Sequence, residues 1–110
     1  MLSCVIVDDE QDAIVLLSKL LKDFTTIPIK IVGTASNLDD GINCIKETKP
    51  DLVFLDIDMP QKNGMDIYKH FENPPFRIIF VTAYNQFAIE ALKNSATDYL
   101  LKHLNYLYSV

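Results

Sequence analysis

Two pairs of aspartates stand at the ends of two apolar runs, and their type and spacing predict chemistry. Asp8 and Asp9 close the run Leu2-Ser3-Cys4-Val5-Ile6-Val7, and Asp56 and Asp58 close Leu52-Val53-Phe54-Leu55. Each run is short, continuous and rich in β-branched residues, as a strand buried on both faces should be. If the strands are parallel neighbours, all four acids meet at one carboxyl edge, where open α/β sheets place their sites. Carboxylates gathered that closely need a cation or raised pKa values to coexist. The cluster therefore predicts a metal site, and hard oxygen ligands of this kind predict phosphoryl chemistry with magnesium.

The elements that must position these acids alternate along the chain. Ala13, Leu16, Leu17, Leu20, Leu21 and Phe24 recur at helical spacing after the first strand. Ile29 to Val32 reads as a second strand ended by Gly33, and Leu38, Ile42 and Ile45 mark a second helix capped by Asn37. Pro50 precedes the third strand. A turn at Pro60-Gln61-Lys62-Asn63-Gly64 enters a third helix over Met65 to Phe71. Asn73-Pro74-Pro75 punctuates before a fourth strand, Arg77 to Val81. Gln86 to Asn94 predicts a fourth helix packing through Phe87, Ala88, Ala91 and Leu92, and Thr97 to Leu101 a fifth strand. The last nine residues, from Lys102, allow about two helical turns, so the final helix is expected to be short or truncated.

Five strands alternating with helices predict an α/β fold: a doubly wound five-stranded parallel sheet with helices on both faces. Strand order 2-1-3-4-5 sets the first and third strands together at the switch point, where both acidic pairs end. At 110 residues the chain is read as one domain, residues 1–110, with an ordinary globular composition of 49% hydrophobic and 23% charged residues. A net charge of −5 argues against direct nucleic-acid binding by this segment. No stretch has membrane-spanning length and no signal-peptide pattern opens the chain, so a cytoplasmic location is expected. Cys4 on a buried strand and Cys44 on a helix then read as reduced core thiols. His70 and His103, like Lys19, Lys22 and Lys30, read as solvated groups without a chemical role.

The motifs Val7-Asp8-Asp9-Glu10, Leu55-Asp56-Ile57-Asp58-Met59-Pro60, Gly64, Val81-Thr82-Ala83 and Asp98-Tyr99-Leu100-Leu101-Lys102 follow one another in order over nearly the whole chain. In these the sequence resembles the receiver domain of response regulators in two-component signalling, whose fold is flavodoxin-like. The stretches Thr82-Ala83-Tyr84 and Tyr99-Leu100-Leu101-Lys102 look most like regulators with a LytTR-type DNA-binding output domain, which is absent from these 110 residues.

The resemblance implies a phosphoacceptor signalling domain rather than an enzyme acting on a separate substrate. Asp56 would take a phosphoryl group from a phosphohistidine of a sensor histidine kinase. Mg2+ (or Mn2+) would be held by Asp9 and Asp56, by Asp8 through water, and by the backbone carbonyl of Asp58. Thr82 and Lys102 would contact phosphoryl oxygens, and Tyr99 would be the aromatic switch that turns inward with Thr82. The surface of the fourth helix, fifth strand and fifth helix would carry dimerisation or output, and in a longer regulator DNA binding and transcription.

The chemistry is coherent on its own terms. A carboxylate nucleophile approaching an anionic phosphoryl group needs a hard cation to offset repulsion. A lysine and a threonine add donors where charge grows. Each residue alone has a plainer reading: Asp8 and Asp9 as a helix cap, Asp56 and Asp58 as solvated turn residues, Lys102 as a surface charge, Tyr99 as core.

Two departures from the family pattern stand out. His103 follows Lys102 where the family usually has proline, and a non-proline residue favours a trans bond there. Asp58 and Tyr84 flank the expected path of a hydrolytic water, which predicts an altered phosphoryl lifetime. His103 and the short C-terminus motivate a second reading, a degenerate receiver that binds partners unphosphorylated. A third, a haloacid-dehalogenase-like phosphatase, rests on Asp56-Ile57-Asp58, but Met59-Pro60 departs from its motif and leaves Asp8 and Asp9 without a role.

Overall fold

The computed structural model describes residues 1–24, 28–57, 59, 62–82 and 98–101. Strand β1 (Leu2–Val7) leads into α1 (Gln11–Phe24), then β2 (Ile29–Ala35), α2 (Leu38–Thr48) and β3 (Leu52–Asp56). A 3-10 helix over Gly64–Lys69, β4 (Arg77–Thr82) and β5 (Asp98–Leu101) complete the described elements. The strands form one parallel sheet in the order β2-β1-β3-β4-β5. The expected fourth helix, Gln86 to Asn94, and the expected short final helix lie outside the described residues.

Alternation along the central strands divides the core in two. Val5, Val7, Val53, Leu55 and Phe80 face the layer built by α2 and the 3-10 helix. Cys4, Ile6, Leu52, Phe54 and Val81 pack with Ile14, Leu17 and Leu21 of α1 on the other side. Burying one such Leu or Phe side chain contributes about 1.5–3 kcal/mol, which makes β1 and β3 the rigid floor on which the acids stand.

The buried stripe of α1 differs from the sequence expectation. Ile14, Leu17 and Leu21, spaced i, i+3 and i+7, face the sheet, whereas Val15 and Leu16 are 58% and 44% exposed. Leu16 neighbours Leu17 in sequence and sits about 100° around the helix from it, so one face cannot bury both fully. On α2 the expected stripe holds: Leu38, Ile42 and Ile45 are buried. Asn37 caps this helix, its side chain accepting the amide of Asp40 at 2.8 Å. The helix ends at Lys49, whose φ of 48° and ψ of 61° lie in the left-handed region. Pro50 follows directly and disfavours continuation of the right-handed helix.

Two further boundaries differ from expectation. β2 does not end at Gly33 but runs to Ala35, because an irregularity in its pairing with β1 shifts the register from Cys4–Ile31 to Val5–Gly33. The bulge absorbs Val32, and Gly33 then lies against the Cys44 sulfur of α2, where a β-carbon would collide. The third helix is of 3-10 type and spans Gly64–Lys69 rather than Met65 to Phe71. Asn63 caps it by accepting the Met65 amide at 2.8 Å, and the amides of His70 and Phe71 share the carbonyl of Ile67. Such sharing marks a helix end, and only six residues are available for the turns.

Candidate functional site

The acids meet through strand register. Val7 of β1 pairs with Leu55 of β3, so the next positions, Asp8 and Asp56, emerge side by side at the carboxyl edge. Carboxylate oxygens of Asp8, Asp9 and Asp56 lie within 4.8 Å of one another. Asp8 and Asp56 are 4% and 3% exposed, while Asp9 is the most open of the three. Asp8 also folds the chain locally: its Oδ1 accepts the Glu10 amide at 3.0 Å, and its own amide donates to the Ala35 carbonyl. The first hydrogen bond turns the backbone out of β1 and into α1, leaving Asp9 on the open side.

These three side chains fit a divalent cation of the magnesium type. They offer only hard oxygen donors, they number three, and one of them, Asp9, is open to solvent. Among the described residues no other group of three His, Cys, Asp or Glu side chains is so arranged. Asp58 and Lys102, singled out from the sequence, lie outside the described residues. Thr82 closes β4 and pairs with Leu101 of β5, and Tyr99 pairs with Phe80, so both take the strand positions expected of them.

One residue had no role assigned from sequence. Gly64 donates its amide to the Ile57 carbonyl at 2.7 Å, and a β-carbon there would meet the Asp56 carbonyl and lie 2.9 Å from the Ile57 α-carbon. The 3-10 helix is thereby clamped onto the backbone of Asp56 itself. The sequence signals were a glycine after Asn63 in a turn and its place among the family motifs, which say that a side chain is unwelcome but not against what.

The two cysteines are free. Burial pushes the Cys4 thiol up to about 11 from 9.0 and also raises that of Cys44. Neither neighbours the acids in sequence, and neither belongs to the cluster. Among the described residues no helix is long and apolar enough to cross a membrane.

A doubly wound parallel sheet with an acidic, metal-competent cluster at its switch point defines the class of protein. Residues 4–106 match the response regulator receiver domain family, and the chain belongs to it. It is 46% identical over 104 residues to an "Uncharacterized response regulatory protein" of Vibrio parahaemolyticus, covering 93% of this chain and 42% of that protein. It is 41% identical over 105 residues to "Sensory transduction protein LytT" of Bacillus anthracis, again covering 93% of this chain and 42% of that one. The response regulatory domain of protein mrkE from Klebsiella pneumoniae superposes with a TM-score of 0.79 at 31% identity, over 96% of this chain and 86% of that one. The chain thus spans less than half the length of these curated relatives. The relation to LytT agrees with the LytTR-type likeness of the motifs. Membership of the receiver family sets aside the phosphatase reading of Asp56-Ile57-Asp58.

Proposed function

We propose that this chain is a phosphoacceptor receiver unit, residues 1–110, that takes a phosphoryl group onto Asp56 from a sensor histidine kinase. The observation that carries the reading is the convergence of Asp8, Asp9 and Asp56 within 4.8 Å at the end of two adjacent strands. In the transfer, a carboxylate oxygen of Asp56 forms a bond to phosphorus. The phosphorus–nitrogen bond of the phosphohistidine breaks, and its electron pair returns to the imidazole.

Asp9, Asp56 and the backbone carbonyl of Asp58, with Asp8 through water, would hold Mg2+, which when bound offsets repulsion between the anionic phosphoryl group and the acids. Asp8 keeps the β1–α1 turn closed while it contributes to the cluster. Gly64 fixes the backbone height of Asp56. Thr82 and Lys102 would donate to phosphoryl oxygens, and the roughly −1.5 to −2 charges added would draw Thr82 inward. Tyr99 would follow, changing the surface around the fourth helix and fifth strand. That change would favour a homodimer or act on an output domain, through which a longer regulator would control DNA binding and transcription.

The test is the intact mass of the chain after treatment with a small phosphoryl donor and Mg2+, beside Asp56→Asn. Gain of one phosphoryl group by the parent alone is the expected result. No gain in the parent, with Mg2+ still bound, would replace this reading with the degenerate receiver.

A further inference from the structure

At the sheet edge opposite the acids, a pocket of about 480 Å³ opens between the end of α2, the segment leading out of the 3-10 helix and the start of β4. Ile45, Pro50, Phe71 and Phe76 form the apolar part of its wall, and the Phe71 and Phe76 rings meet edge to face at 5.1 Å. This volume lies within the ~300–1,000 Å³ of sites for small organic molecules.

Its charged lining is unequal in availability. Asp51 is occupied: its carboxylate accepts the Ser3 amide at 2.8 Å and the Ser3 hydroxyl at 3.2 Å. Lys46 and Lys49 line the same pocket and are exposed, and neither ammonium has an ion pair among the described residues. The backbone of Lys49 is fixed by the left-handed conformation that ends α2, its amide donating to the Ile45 carbonyl, which sets where the side chain leaves the chain. An aromatic wall beside two uncommitted cations is complementary to a flat apolar body bearing one negative charge.

We propose that this pocket is a binding site for a small aromatic carboxylate. The ring system lies against Phe71 and Phe76, and the carboxylate faces Lys46 and Lys49. The site is separate from the acidic cluster: Asp51 directly precedes β3 and Asp56 ends it, about 16 Å apart at ~3.3 Å per residue.

The test is a titration of the 110-residue chain with 2-naphthoate, followed by amide chemical shifts. Saturable shifts centred on Lys46, Lys49, Asp51, Phe71 and Phe76 are expected. The double variant Lys46→Gln/Lys49→Gln should bind about five-fold more weakly, as should the parent with uncharged naphthalene-2-carboxamide. Both substitutions lie on the surface, and an unchanged thermal midpoint would show that the fold persists. Equal affinity of variant and parent, or of amide and acid, would overturn the proposal. So would shifts centred on the acidic edge, or shifts of the pocket amides with protein concentration alone, which would make the occupant a second copy of the chain.

Discussion

Gly64 packs its α-carbon against the carbonyl of Asp56 so closely that no side chain fits between them. The contact couples the residue proposed to accept phosphate to an element eight positions further along the chain. Gly64→Ala should therefore displace the backbone of Asp56 or unseat the 3-10 helix. The obstruction is backbone, which cannot rotate away. We expect a loss of about 1–3 kcal/mol of stability, of the size seen for overpacked sites. Urea unfolding measures it, and an unaltered midpoint would show that the contact relaxes freely.

Removing one acid should have opposite effects with and without cation. In the absence of Mg2+, Asp8→Asn or Asp9→Asn relieves like-charge repulsion and should raise stability relative to the parent. With Mg2+ in excess the order should reverse, since ligand binding to the folded state stabilises by RT ln(1 + [L]/Kd) and the variants bind less well. Thermal unfolding with and without millimolar Mg2+ decides. Parallel shifts in all three proteins would separate the cluster from the cation.

Val15 and Leu16 stand exposed in the first half of α1, about 6–8 Å along its axis from Gln11, the helix start just after the Asp8-Asp9 pair, at ~1.5 Å per residue. An apolar contact beside the acids is where a kinase presenting its phosphohistidine would press. Val15→Ser/Leu16→Ser should slow transfer from a sensor kinase that labels the parent, while labelling by a small phosphoryl donor stays as before. Equal slowing in both assays would show that the substitutions disturb the acids instead.

Cys4 makes stability depend on alkaline pH. Its folded thiol, pushed up to about 11, keeps its proton where the unfolded thiol at 9.0 has lost it. The folded state then binds more protons, so the stabilisation is complete below pH 9 and is lost as pH rises toward 11. The total is about 2–3 kcal/mol, because each tenfold change in proton affinity is worth ~1.4 kcal/mol. Cys4→Ala should flatten this part of the stability–pH curve. A slope equal to the parent's would assign it to other groups.

Lys49 adopts a left-handed conformation that costs a residue with a β-carbon about 1–2 kcal/mol. Asn tolerates that region better. Lys49→Asn should raise the urea midpoint, by the equivalent of about 0.5–1 kcal/mol, and a lowered midpoint would show that the lysine stem contributes more by packing.

Much of this protein was legible in one dimension. Continuous apolar runs at Leu2–Val7 and Leu52–Leu55, with helical spacing between them, lead to a parallel sheet of order 2-1-3-4-5, because right-handed crossovers leave few alternatives. The aspartates follow those runs directly, so once the strands are neighbours their meeting is a matter of register, and Val7 opposite Leu55 brings Asp8 beside Asp56. The Asn37 cap and the Leu38-Ile42-Ile45 stripe were equally local signals.

Where the sequence pointed elsewhere, the deciding contact came from far along the chain. Leu16 and Leu17 look alike in sequence, and only the direction from which the sheet approaches α1 selects Leu17 and leaves Leu16 in solvent. β2 continues through Gly33 because β1 tolerates a bulge there and α2 brings Cys44 against it. Composition and spacing by themselves determined which residues make strands and which acids end them, since these follow from burial and period along the backbone. Only the tertiary structure decided that Gly64 clamps Asp56 and that Lys46 and Lys49 stand over an aromatic pocket. Those relationships join segments that share no sequence pattern and meet only when the layers close on each other.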